Sequence, residues 1–276
     1  MWQIKSALNL IFDILIFPLK NFHPLYSLCF FSLITAIFLL IVFRYTSDQR
    51  GIRETKDKIK AHLLEIRIFK DNLTILLSAQ RRLLLYNLIY MKHAVKPLLF
   101  MIVPVALIII QMDAWYGRKP LIPGEASILS LRVTEQEATK LSSNISIEVD
   151  KGLTIETPLL RIPETGELSW RVRTNNLGNH QVRVKVAERV FYKEVIVDNG
   201  RLWRLSPHSV NSSHWKDLLN PGVEPLEENS LLKEITVHYP NRLIDIFSWK
   251  IHWLVLFFVL STAYAFMLKK FFKVEI

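Results

Sequence analysis

Residues 40–73 read LIVFRYTSDQRGIRETKDKIKAHLLEIRIFKDNL, an apolar run that ends at Arg44 and turns at once into a charged pattern. Ile52, Ile59, Leu63, Ile66, Phe69 and Leu73 recur at helical spacing, while Arg53, Lys56, Asp57, Lys60, Arg67 and Lys70 fall on other faces. This is the signature of an amphipathic helix with one apolar stripe in need of a partner. Asp71 and Asn72 can cap helix ends, and a second apolar run carrying Arg81, Arg82, Lys92 and Lys96 follows up to Pro97. Both ends of the charged region join strongly apolar segments, so the chain must reverse within it. Residues 44–96 are therefore expected to form an antiparallel helical hairpin, a coiled coil whose arms bury each other's stripe.

Outward from the hairpin lie the apolar segments. Residues 26–43, YSLCFFSLITAIFLLIVF, contain no charge and read as a first transmembrane helix. Residues 97–116 read as a second, with Pro104 in its middle removing one backbone hydrogen bond and favouring a kink. Residues 250–268 read as a third, flanked by Trp249 and Trp253 on one side and by Lys269, Lys270 and Lys273 on the other. The 276-residue chain is 50% hydrophobic, with mean hydropathy +0.22, yet carries a net charge of +10. Lipid is expected to cover part of that apolar surface, and the basic excess reads as cytoplasmic loops rather than DNA binding. The only cysteine, Cys29, excludes an intrachain disulfide and a cysteine-built metal site.

Residues 1–25 are expected to form an interfacial amphipathic helix, with Gln3, Ser6, Asn9 and Asp13 as a polar stripe and Trp2, Leu8, Phe12 and Leu15 in lipid. An uncleaved anchor is the alternative. The positive-inside rule then puts the 44–96 hairpin and the basic tail 269–276 in the cytoplasm, with the N-terminus and the region between the second and third spans outside. The chain shows no organelle-targeting segment, so the expected setting is a bacterial inner membrane.

Residues 120–245 have another character. SILSLRV, ISIEV, ELSWRVRT, HQVRVKVA and KEVIVD alternate apolar and polar residues, and Asp150, Gly152, Pro163, Gly166, Gly178 and Gly200 stand in turn positions between them. Short strands at this spacing read as an extracytoplasmic all-β sandwich, most simply immunoglobulin-like, with Trp170 as a candidate core aromatic. The pattern alone does not choose between a protein and a carbohydrate ligand.

The order of an amphipathic helix ending at Pro18, a span, a basic cytoplasmic hairpin, a second span, an external segment and a third span resembles the YidC/Oxa/Alb insertase superfamily. The likeness is to its minimal three-span members, such as the archaeal insertase-like proteins and the large insertase-like subunit of the ER membrane complex. It covers residues 1–116 and 247–276 and rests on architecture and on the run FRYTSDQRGIRETKDKIKAHLLEI. The resemblance implies a polar groove, open to the cytoplasm, that lets a client's polar end cross a thinned bilayer. Two departures stand out: no arginine lies mid-way along the first span, and a long external domain replaces a short connection.

Ser32, Thr35, Ser261 and Thr262 are the candidate groove-lining residues; alternatively their hydroxyls bond their own helix carbonyls. Arg44, Arg53, Lys56, Lys60, Arg67, Arg81 and Arg82 are candidate cytoplasmic contacts to ribosomal RNA or anionic lipid, the alternatives being a topology anchor for Arg44 and a solvated helix face for the others. Gln111 reads as an interfacial side chain. No metal-ligand spacing, nucleotide loop or nucleophile elbow occurs, so neither enzyme chemistry nor a cofactor is expected. Asn72, Asn144 and Asn211 begin N-x-S/T sequons, which matter only in a glycosylating compartment. The expected function is insertion or chaperone-like assembly of nascent membrane proteins, and the alternative is an adaptor whose β-domain binds an envelope partner while the spans only anchor it.

Overall fold

Caps and apolar patterning account for the helices of the computed structural model, which describes residues 2–133, 145–162, 165–186, 189–210, 221, 226, 232–246 and 248–275. Asn144, Pro163, Ala187, Asn211 and His214 lie outside the described residues, as do the side chains of Trp2, Gln3 and Ser6. The chain divides into two units, Met1–Ser27 with Ile109–Trp253 and Leu28–Ile108 with Leu254–Ile276. One is dominated by antiparallel sheet and the other is helical.

In the helical unit, α2 (Pro24–Thr46) is followed by α3 (Gln49–Ile68), α4 (Leu73–Tyr116) and α5 (Trp253–Leu268). The Asp48 carboxylate starts α3 by accepting the Gly51 N–H at 3.1 Å. Asn72 starts α4, its side-chain oxygen accepting from the N–H groups of Thr74 at 3.2 Å and Ile75 at 3.3 Å. Contacts with descending partner numbers make the pairing antiparallel: His93 Nδ1 lies 3.6 Å from Asp48, Lys56 sits 6.0 Å from the Tyr90 ring, and His62 stacks on Tyr86 at 5.4 Å. Gly51 permits the first of these, because a Cβ there would stand 2.7 Å from the His93 ring.

The hairpin differs from its sequence pattern in two respects. Ile52 is buried and Ile59 and Ile66 half-buried, but Leu63, Phe69 and Leu73 of the expected stripe are exposed. His62, Tyr86 and Tyr90 take up the seam that those side chains were expected to fill. Nor does the helix break at Pro97: α4 runs 44 residues with Pro97 and Pro104 both inside it. An interior proline removes one intrahelical hydrogen bond, and the rest of the ladder carries α4 through both positions.

By length and composition α2 and α4 can cross a membrane, whereas α5, at 16 residues, is apolar but shorter. Residues 250–252, expected at the head of the third helix, belong to strand β11 (Trp249–His252), paired with β10 (Leu243–Ile246) across a turn in which Ser248 adopts φ 75°. The alternation of Trp249, Lys250, Ile251 and His252 suits a two-residue period, and Asp245 stands opposite Lys250.

In the β unit, β1 (Ala126–Val133) lies between β5 (Glu167–Thr174) and β9 (Leu232–Val237) in a sheet that continues to β3 (Leu153–Ile155) on one side and β8 (His208–Val210) on the other; β4 (Leu160–Ile162) also pairs with β5. A second sheet contains β2 (Ile145–Val149), β6 (Gly178–Val186) and β7 (Arg189–Val197). All pairings between these strands are antiparallel. Every second residue faces one core: Leu129, Leu131 and Val133 on β1, Leu168, Trp170 and Val172 on β5, and Val182, Val184 and Val186 on β6. Leu129 is the direct register partner of both Trp170 and Val237, so β1 carries the centre of its sheet.

The first helix, α1 (Trp2–Ile16), presents two faces. Phe12 and Ile16 are buried, correcting the expectation that Phe12 lies in lipid, while Leu10, Ile11, Ile14 and Phe17 are exposed and form the outward apolar stripe. Of the polar stripe, Asn9 and Asp13 find partners within the protein. Asn9 accepts a hydrogen bond from Gln111 at 2.9 Å, and Asp13 pairs with Arg204. Gln111 is thus buried rather than interfacial.

Placing a carboxylate at the buried Ile52 leaves it unpaired in the hairpin seam, which destabilises by several kcal/mol, about 4 for a strongly affected site. Ile52→Asp is expected to open residues 50–92 to limited proteolysis, Ile59→Asp to do so less, and Leu63→Asp not at all. Equal cleavage of all three variants would reject the seam described above.

Candidate functional site

α2, α4 and α5 line an open-sided cavity of about 470 Å3 within the helical unit. Leu39, Leu40 and Phe43 line it from α2, Leu98, Met101 and Ile102 from α4, and Phe257, Phe258 and Phe266 from α5. Room is left by small residues, Ala36, Ala94 and Ala265, one on each helix. Its volume falls in the range of about 300 to 1,000 Å3 typical of ligand pockets.

Three hydroxyls interrupt this lining: Thr35, Ser261 and Thr262. Ser32, one turn before Thr35, is fully buried but does not line the cavity. Elsewhere in the same unit hydroxyls bond their own helix, with Thr46 donating to the Val42 carbonyl at 2.8 Å and Thr55 to that of Gly51 at 2.6 Å. Ser32 and Ser261 do not: the Oγ of each is buried without a hydrogen-bond partner. An unmet buried hydroxyl costs about 1–3 kcal/mol, so both favour a polar group brought to them. Apart from the three hydroxyls every lining side chain is apolar, which makes the cavity far less polar than the groove the resemblance implies.

The sequence-predicted basic residues separate into several environments. Arg53 and Lys56 converge on Glu275, at 3.0 and 3.8 Å. Lys60 pairs with Asp57 on its own helix at 3.5 Å, and Arg82 donates to the Ser78 hydroxyl at 3.3 Å. Arg44, Arg67 and Arg81 are exposed, as is Arg82. Surface pairs of this kind contribute at most about 1 kcal/mol each.

The β unit contains buried cations that pattern reading passed over. Lys193, on β7, points into the protein and donates to the Ser206 carbonyl at 2.8 Å and to the Ser209 hydroxyl at 2.9 Å. Burial pushes its pKa down to about 7 against the opposing pull of Glu194 and Glu234. Arg242 ties three loops by donating to the carbonyls of Arg118, Gly200 and Arg201 at 3.2, 3.2 and 3.0 Å. Arg204 bonds the Asn9 carbonyl at 2.9 Å and lies 5.5 Å from the Trp115 ring. An arginine in a strand-rich segment gives no local hint of such a role.

No family model, curated protein or solved structure matches this chain. The functional reading therefore rests on the geometry above and on the architectural resemblance.

Lys193 makes the β unit sensitive to pH. Its folded pKa, about 7, lies below its ordinary 10.5, so unfolding takes up a proton between those values and stability rises with pH across that window. Lys193→Met keeps the packing volume and is expected to flatten that rise. Thermal melts of wild type and variant at pH 7 and pH 10 check this, and parallel shifts in the two proteins would refute it.

Proposed function

We propose that this chain is an integral membrane protein that assists the insertion or assembly of other membrane proteins, without covalent chemistry. α2, α4 and α5 cross a bilayer, here read as a bacterial inner membrane. The N-terminus and the β unit lie outside, and the hairpin and the segment after α5 lie in the cytoplasm. The observation that carries the reading is the pair of buried hydroxyls, Ser32 and Ser261, that satisfy neither their own helices nor each other, Ser261 opening on an apolar cavity between three apolar helices. Bringing a client's polar group through hydrocarbon costs several kcal/mol, and hydroxyls awaiting a partner lower that barrier.

Helix lengths support the same reading. The 44 residues of α4 extend about 66 Å, twice the roughly 30 Å of hydrocarbon, so its basic first half projects into the cytoplasm. The 16 residues of α5 extend only about 24 Å and favour a locally thinned bilayer. Exposed Arg67, Arg81 and Arg82 give the hairpin a cationic outer surface suited to ribosomal RNA. The β unit is read as an immunoglobulin-like sandwich: β3, β5 and β1 in one sheet and β2, β6 and β7 in the other follow its connectivity, with β9 in the position beside β1 that the first strand takes in such domains.

A second reading is favoured by the apolar character of the cavity lining: an adaptor whose spans only anchor a partner-binding β unit. Photo-crosslinkers at positions 32, 35 and 261 in actively translating membranes are expected to capture short nascent membrane proteins. Ser32→Leu with Ser261→Leu is expected to slow client insertion about thirtyfold, from the loss of roughly 1 kcal/mol per hydroxyl. Unchanged insertion in that double variant, combined with loss of function on deleting residues 124–240, would establish the adaptor.

A further inference from the structure

Beyond the last turns of α2 and α5, which end at Thr46 and Leu268, five cationic side chains surround a hollow of about 540 Å3. Arg50 and Arg53 come from the first turns of α3, and Lys269, Lys270 and Lys273 from the segment after α5; Gln49, Val274 and Glu275 complete the wall. Among the described residues Arg50, Lys269, Lys270 and Lys273 form no ion pair, so the one carboxylate present, Glu275, faces a large excess of positive charge.

This arrangement is built rather than incidental. The segment folds back as a hook, with Val274 N–H donating to the Lys269 carbonyl at 3.0 Å and Lys273 N–H to that of Lys270 at 3.2 Å. Lys273 is held at φ 53°, in the left-handed region that non-glycine residues seldom adopt. Val274 is buried, and Glu275 N–H donates to the Gln49 side-chain oxygen at 2.7 Å, fixing the hook against the start of α3. The Glu275 carboxylate, 3.0 Å from Arg53, shows that this wall accepts an oxyanion.

Apolar rings stand beside the cations. Phe266 and Phe271 are exposed on either side of Lys269 and Lys270, and the final turn of α5, residues 265–268, is wholly apolar. A ligand matching the whole surface carries a phosphate next to long hydrocarbon. We propose that this hollow binds the headgroup of an anionic phospholipid, and that Glu275 occupies part of it when no lipid is present. The site rests on the proposed crossing of the bilayer by α2 and α5, which sets the hollow at the level of the headgroups. RNA meets the charge but not the neighbouring hydrocarbon, and free phosphate meets neither the volume nor the rings.

The test uses the full chain in neutral detergent, with binding of short-chain phosphatidylglycerol, short-chain phosphatidylcholine, glycerol phosphate and a short single-stranded RNA followed by native mass spectrometry. Phosphatidylglycerol is expected to bind in preference to the other three. Arg50→Gln with Lys270→Gln is expected to weaken it by about tenfold or more. Glu275→Gln is expected to strengthen it by about threefold, since it frees Arg53, a gain that misfolding cannot mimic. Equal binding of the two lipids, RNA or glycerol phosphate binding that matches phosphatidylglycerol, or a Glu275→Gln variant with no gain would each overturn the proposal. Alkaline carbonate extraction separates the two readings: release of the chain from membranes refutes the bilayer crossing, whereas retention together with lipid indifference refutes the lipid site alone.

Discussion

The helical unit carries a broad apolar surface that none of its own described residues covers. Leu98, Leu99, Phe100, Ile102 and Val103 of α4 and Val255, Phe258 and Val259 of α5 are each more than half exposed. Left in water, side chains of this size forfeit about 1.5 kcal/mol or more apiece, and no other part of the unit covers them. The rest of its design follows from that constraint. Pro97 and Pro104 lie inside α4 without ending it, and no charged residue interrupts α5 or residues 97–112 of α4. Polar groups inside the unit are few enough that each unpaired one, such as the Ser261 hydroxyl, carries weight.

The β unit solves a different problem, since its sheets supply each other's cover. Alternation along β1, β5 and β6 sends leucines, valines and Trp170 to one shared core. Three of the unit's buried polar groups are bonded: Lys193 by a carbonyl and a hydroxyl, Arg242 by three carbonyls, and the Tyr239 hydroxyl by accepting the Ile196 N–H at 3.0 Å. Burial pushes the Tyr239 pKa up to about 12, so this group stays neutral through the range in which Lys193 changes charge.

Local patterns were legible in the sequence, and cross-chain partnerships were not. Residues 26–43 have no charge, and the strand segments keep a period of two, so helix α2 and most of the sheet could be read directly. The continuity of α4 through Pro97 was not legible, because an interior proline costs one backbone bond yet need not end a helix. The stripe of Asn9 and Asp13 was visible, yet its partner Arg204 lies 191 residues from Asp13 and shows no pattern of its own. Likewise Ser261 could be picked out as a polar residue in an apolar run, whereas its lack of a carbonyl partner depends on a rotamer that no spacing encodes. The seam of the hairpin went to His62 and Tyr86 because a flat ring pair fills a gap between helices that a branched side chain leaves open.

The position of β9 bears on how the protein is made. β1 is an inner strand, but its second neighbour arrives late: Ser127 donates to the carbonyl of His238, 111 residues further along the chain. Until then, during synthesis, β1 presents an unpaired edge of alternating leucines, the kind of surface on which strands of other chains add. Closing the sheet therefore waits for nearly the whole unit to emerge, only fifteen residues ahead of α5. The final apolar helix and the last strand of the sheet thus leave the ribosome almost together, which links the end of β-domain folding in time to the delivery of that helix.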